Sequence, residues 1–254
     1  MLFLLSPAKM LDEHTPPPIT SLDQPTLLEQ SQQLINILRH YSASDLQTLM
    51  KISERIAVQN QERFAQFETP FNSQNAKPAI YLFNGDVYQG LSAYNLPEEC
   101  IQFLNKHLAI LSGLYGAVRP LDLIAPYRLE MGTPLPNEHG KNLYDFWGDT
   151  ITEYLNDRID ETDAKVVINL ASNEYFKAVR PEKLKARVVT PIFKDYSNGE
   201  YKVIGVYAKR ARGLMTRFAC ENNITDLQDL KKFNLEGYAY KPNDVTGEIV
   251  FIRG

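Results

Sequence analysis

Lys209, Arg210, Arg212 and Arg217 lie within nine residues of one another, and with Lys202 they give the stretch Tyr201 to Cys220 five cations and no acid. The whole chain has a formal net charge of -4, so the polarity is concentrated in this window. On a helical wheel the four cations from Lys209 onward share an arc of about 160°, opposite an apolar face of Ala211, Leu214, Met215 and Phe218. Three of them fall in the first turns of the expected helix, where the macrodipole disfavours positive charge by up to about 1 kcal/mol each. Stability does not explain that placement. An anion site does, because cationic forks and helix N-terminal N–H groups both favour a phosphate-bearing ligand. The competing reading is a solvated helix face paired with carboxylates elsewhere.

Other residues point to the same chemistry. Lys9 follows the apolar run Met1 to Leu5 through Ser6 and Pro7, the position at which open α/β sheets present ligand-binding loops. Gly113 and Gly116 let backbone N–H groups approach a phosphate, although the segment matches neither a Walker loop nor a dinucleotide fingerprint. Arg119, with Tyr127 and Arg128, suits a phosphate-and-base ligand. Internal pairing of Arg119 with Asp122 and of Arg128 with Glu130 is the alternative. Lys177 opens a second basic stretch with Arg180, Lys183, Lys185 and Arg187 that could share a groove with the first. Asn84-Gly85-Asp86 is foremost a turn, and Ser172 or Asn173 a helix cap.

Strand signals recur at Met1 to Leu5, Ala79 to Phe83, Leu108 to Leu111, Val166 to Leu170, Val188 to Phe193 and Lys202 to Tyr207. Helical patterns lie between several of them, so the expected architecture is α/β, a mixed central sheet flanked by helices. The amphipathic pattern of Leu27, Leu34 and Leu38 predicts one helix. Ser44 with Gln47 reads as a capping box for the next, and Pro97-Glu98-Glu99 starts another. Asp145 to Asp163 reads as an acidic, solvated helix face. No repeat or long linker divides the chain, and residues 1–254 are expected to form one domain.

The 254 residues are 44% hydrophobic and 23% charged, the composition of a globular protein. An acidic balance argues against coating nucleic acid by net charge, so a polyanion must be met by a local patch. Cys100 and Cys220 stand 120 positions apart without a CxxC, and the four histidines share no ligand spacing, so neither a metal site nor a cofactor is expected. A reducing, cytoplasmic setting fits the cysteine usage, and no apolar run approaches a membrane span. Cys220 near Arg217 reads as inert packing rather than a redox sensor.

Seven islands in order carry a resemblance: LSPAK from Leu5, NGDVYQGL from Asn84, LSGLYGAVRPLDLI from Leu111, PYRLEMG from Pro126, DFWGD from Asp145, INLASNEYFK from Ile168 and YAKRARGLM from Tyr207. Together they resemble the bacterial YaaA peroxide-stress family nearly end to end. That resemblance implies an α/β domain of unusual topology with a basic cleft, a helix-hairpin-helix-like element, binding of duplex or damaged DNA, and a role in limiting peroxide damage linked to intracellular iron. The Gly113 to Gly116 turn is the natural place for the hairpin element. Two functions follow as expectations. One is a DNA-binding stress protein that holds phosphates with Lys9, Arg119, Arg128, Lys177, Lys209, Arg210, Arg212 and Arg217. The other is an enzyme acting on a nucleotide, nucleoside or DNA base, with Lys9, Asp86 or Glu130 doing the chemistry. A third has the basic helix docking an acidic partner.

Overall fold

The computed structural model describes residues 1–242 and 248–254. Its strands are β1 (Leu2–Leu5), β2 (Lys77–Pro78), β3 (Leu108–Ser112), β4 (Gly116–Val118), β5 (Leu123–Ile124) and β6 (Val166–Asn169). They are followed by β7 (Arg187–Val189), β8 (Ile192–Ser197), β9 (Glu200–Lys202), β10 (Ala239–Lys241) and β11 (Val250–Arg253). The main sheet has the order β4-β3-β1-β6-β7. β1 runs parallel to β3 and β6, with Phe3 opposite Leu108 and Ile168, and only the edge strand β4 is antiparallel. Every residue of β1 is fully buried, as expected of a central strand covered on both faces. A second sheet, β10-β11-β8-β9, and the short pair β2-β5 complete the mixed α/β architecture, and one hydrophobic cluster runs through it.

The helices form where local chemistry supports both ends. Glu98–His107 begins after Pro97 with two acids and ends with Lys106 and His107, matching the macrodipole at each terminus. Its last carbonyls are capped by Arg158, which is buried and donates to Asn105 O at 3.0 Å and Lys106 O at 2.7 Å. Helix Ala43–Met50 has a capping box, but its members are Ser42 and Asp45 rather than Ser44 and Gln47. The aspartate can close the box because its shorter arm still reaches the Ser42 N–H at 2.9 Å.

Several expected strands differ. Ala79–Leu82 is a helical turn, not a strand: an apolar run this short carries no period, and its first two N–H groups donate to Asp122 O and Pro120 O. Val188 to Phe193 is broken between β7 and β8, which belong to different sheets. β9 stops at Lys202, and the long helix Gly205–Glu221 starts where a strand through Tyr207 was expected. Asp145 to Asp163 is two helices, Leu143–Trp147 and Thr150–Thr162, separated at Gly148 with φ 47°. The Gly113–Gly116 segment is a buried turn between the antiparallel strands β3 and β4, so it is a β-hairpin and not a helix-hairpin-helix. Trp147 pins it by donating from Nε1 to Gly113 O at 3.0 Å.

Candidate anion-binding cleft

The sheet order places the ends of β1 and β6 side by side where the connections diverge to opposite sides of β1, the crevice in which open α/β sheets bind ligands. Ser6, just past β1, accepts the Ser172 N–H on its Oγ at 2.8 Å, tying the two strand ends together. Tyr88, on helix Asp86–Leu91, donates from its hydroxyl to Ser6 O at 3.0 Å. Tyr127 shares a 2.6 Å hydrogen bond with Ser112 at the end of β3. Burial raises both phenols far above their ordinary pKa, so they form a neutral floor.

Above this floor lies a cavity of about 480 Å³ whose walls include Lys9, Asp86, Arg128, Glu130, Lys209 and Arg212. Five of the seven sequence islands meet here. Lys9 Nζ lies 2.7 Å from Glu130 Oε2, and Arg128 Nη2 donates to Glu130 Oε1 at 3.1 Å, so one carboxylate holds two of the cations. Arg212 differs from them. It is partly buried, has no ion pair or hydrogen bond among the described residues, and burial draws it below arginine's ordinary pKa. Lys209, on the same side of the helix three residues earlier, also lacks an ionic partner among the described residues. An uncompensated guanidinium at the wall of a cavity favours an anion there, because desolvating a charge is costly unless something pairs with it.

The four cations of the basic helix do not stay together. Helix Asp86–Leu91 crosses the long helix over Gly213, where an added Cβ would stand 1.8 Å from Val87 O; reciprocally, a Cβ on Gly90 would stand 2.3 Å from Arg210 O. The crossing lies in the middle of the cationic arc and divides it. Lys209 and Arg212 face the cavity, whereas Arg210 forms a two-nitrogen pair with Glu236, the nearest contact 2.6 Å, and Arg217 pairs with Glu221 at 2.8 Å. Neither Arg210 nor Arg217 lines the cavity. The hydrogen bonds that Arg210 donates to Glu236, with the charge of that carboxylate, outweigh desolvation and raise Arg210 above its ordinary pKa, the opposite of Arg212.

The remaining expected cations are likewise engaged elsewhere. The Arg119 guanidinium pairs with Glu161 at 3.0 Å, and it is the Arg119 backbone N–H that meets Asp122, at 2.7 Å. Lys177 sits 4.8 Å over the Tyr144 ring. Arg180, Lys183 and Lys185 pair with Asp149 and Asp160, so these three cations of the second basic stretch are held by acids and do not line the cavity. Gly113 and Gly116 are packed against Leu129 and Trp147, with no surface left for a ligand. Burial pushes the Cys220 thiol up, consistent with packing rather than reactivity.

One contributor escapes sequence reading as a site residue: Tyr88, whose hydroxyl reaches the site only through Ser6, 82 positions away. A larger cavity, about 710 Å³, opens elsewhere beside Glu13, Arg63 and Lys77. Its cations already have carboxylate partners, Glu13 for Arg63 and Asp12 for Lys77. Unpaired charge, not size, therefore identifies the candidate site.

A mixed α/β protein with a cation-walled crevice at the ends of its central parallel strands is the class that this geometry defines. The family described as peroxide stress protein YaaA matches residues 1–244. A UPF0246 protein of Neisseria gonorrhoeae (strain NCCP11945) is 53% identical over all of this chain and 98% of its own length. A UPF0246 protein of Shewanella halifaxensis (strain HAW-EB4) is 52% identical over all of this chain and 99% of its own. The chain belongs to the YaaA peroxide-stress family.

Proposed function

We propose that this protein acts in the cytoplasmic response to peroxide by binding DNA, the cleft holding the phosphate of a single nucleotide unit at a gap or damaged position. In this reading DNA is the target that iron-linked peroxide chemistry damages. The observation that carries it is Arg212, partly buried and without an ionic partner among the described residues, facing the same cavity as Lys209 and the Lys9–Glu130–Arg128 cluster. Two cations without an acidic partner among the described residues, at one small cavity, suit one phosphate. A stripe of four along the helix would suit a length of duplex, and the helix crossing at Gly213 prevents that stripe.

Titration of intact duplex, gapped duplex and a nucleoside monophosphate between about 50 and 200 mM salt tests the reading, since phosphate contacts weaken steeply with salt. Gapped DNA should bind more tightly than intact duplex. Arg212→Ala should cost about tenfold or more, the worth of one charge-assisted contact. Arg210→Ala, whose side chain is held by Glu236 away from the cavity, should leave affinity unchanged. No affinity at low salt, or equal losses in the two variants, would refute the reading.

A second reading, turnover of a nucleotide, nucleoside or DNA base in the same cleft, is favoured by the placement of Lys9 and Glu130 2.7 Å apart in a cavity that also contains Asp86. A carboxylate and an amine at hydrogen-bond distance are suited to proton transfer. Incubation with damaged DNA and nucleotides, followed by mass analysis, would show new products for the native protein and none for Glu130→Gln. Absence of products with the native protein leaves the binding role alone.

A further inference from the structure

The edge of the second sheet has a sequence that complements itself. β9 is the terminal strand, pairing only with β8 through the two-residue turn Asn198-Gly199, in which both residues have positive φ (55° and 88°). Ser197 lies opposite Glu200 and Asp195 opposite Lys202, and with such a turn these two pairs exchange the ladder hydrogen bonds. Tyr201, opposite Tyr196, then directs its N–H and C=O away from β8, to an edge that makes no backbone hydrogen bond among the described residues. Around this edge the apolar surface is unusually open. Tyr196, Val203, Val206 and Tyr207 are 45 to 55% exposed, and Tyr196 and Tyr201 pack edge to face at 5.3 Å. A cluster of exposed aromatic and branched side chains beside an unpaired edge marks an interaction surface.

The chemistry of the edge selects its occupant. Glu200-Tyr201-Lys202 reads as acid, aromatic, base, with Glu200 and Lys202 on the same face of the strand and 3.6 Å apart. We propose that β9 pairs antiparallel with β9 of a second copy of this chain, about a two-fold axis through Tyr201. In that register Glu200 falls opposite Lys202 of the second copy, and the same pair forms again across the axis. The two outward-facing Tyr201 residues exchange both backbone hydrogen bonds and meet each other on the axis, and Val203 falls opposite Gly199 of the second copy. A self-complementary patch of this kind defines an isologous interface. A lysine on an exposed edge ordinarily discourages pairing. Here the two-fold operation meets it with a glutamate, so an opposite-charge pair replaces the repulsion.

Charge reversal tests the register on the full chain. Sedimentation equilibrium of the native protein should show a mass rising with concentration from 29.0 kDa toward twice that value. Glu200→Lys and Lys202→Glu, both at exposed or partly exposed positions, should each weaken self-association at least about tenfold by placing like charges opposite one another. An equimolar mixture of these two variants should associate again, because each then meets its complement, and the double reversal in one chain should associate as the native chain does. The recovery also shows that the single variants are folded. A native protein that stays at 29.0 kDa at every concentration, single variants that associate as strongly as the native chain, or a mixture that fails to recover would overturn the proposal.

Discussion

Replacing Gly213 with alanine tests the crossing that divides the basic helix. Within a helix the change ordinarily stabilises, by about 1 kcal/mol, because glycine carries the larger conformational entropy loss. Here the new Cβ would lie 1.8 Å from Val87 O and 2.7 Å from Leu91 N, both backbone atoms, so no side-chain rotation relieves the overlap. The two helices must move apart until the carbonyl reaches at least the 3.4 Å of ordinary contact. Overpacking of this severity costs about 3 kcal/mol. Set against the propensity gain, the net loss is about 2 kcal/mol, which at roughly 2 to 4 °C per kcal/mol lowers Tm by about 4 to 8 °C. Thermal denaturation followed by circular dichroism measures this directly, with Gly205→Ala as the control. Gly205 opens the same helix with nothing within 4 Å of its Cβ direction, so that variant should be neutral or slightly stabilised. If Gly213→Ala raised Tm as the control does, the glycine crossing, and with it the division of the cations, would be refuted. The folded fraction of Gly213→Ala should also bind anions more weakly, because the movement separates Asp86 and Tyr88 from Lys209 and Arg212.

Two further outcomes follow from the electrostatics. Burial pushes Asp122 up to about 7, outweighing the Arg119 backbone N–H and the Arg119 and Arg158 charges, which pull it down. The folded carboxyl therefore holds its proton where the unfolded one, near 3.8, has released it; the stabilisation is complete below that value and disappears as pH rises through about 7. Asp122→Asn retains an acceptor for the Arg119 N–H, and its advantage over the native protein in urea denaturation should grow by a few kcal/mol between pH 4 and pH 8, roughly as linkage requires. A pH-independent difference would contradict this. Glu130→Gln removes the carboxylate that occupies Lys9 and Arg128, and phosphate affinity by calorimetry should rise severalfold, up to about tenfold; a fall would show that Glu130 orders the cations more than it competes for them.

The sequence made the central strands legible because β1, β3 and β6 are short β-rich runs buried on both faces, and their ends correctly located Lys9 and the Ser172 loop. It misread Ala79–Leu82 because four apolar residues satisfy a strand and a helical turn equally well, and only the contacts to Asp122 and Pro120 decide. The basic helix was readable as a helix, with Ala211, Leu214, Met215 and Phe218 buried as the wheel predicts. Its charge was not readable as a site. Gly213 sits between the cations on the wheel, and a wheel treats glycine as empty space, whereas here it admits another backbone. Likewise the acids that neutralise Arg210, Arg119 and Lys185 lie 25 to 42 residues away, beyond any local count.

The convergence of distant islands on one crevice also bears on how the protein comes into being. Lys9 and Ser6 follow the first strand, Arg128 and Glu130 come from the middle, and Lys209 and Arg212 lie two hundred positions beyond the start, so each wall of the crevice is made of chain that leaves the ribosome at a different time. No fragment carries half of the crevice. Contacts this remote in sequence form late and slowly, so a nascent chain lacks the cavity until the long helix Gly205–Glu221 docks over Gly90. The crevice exists only once the chain is whole.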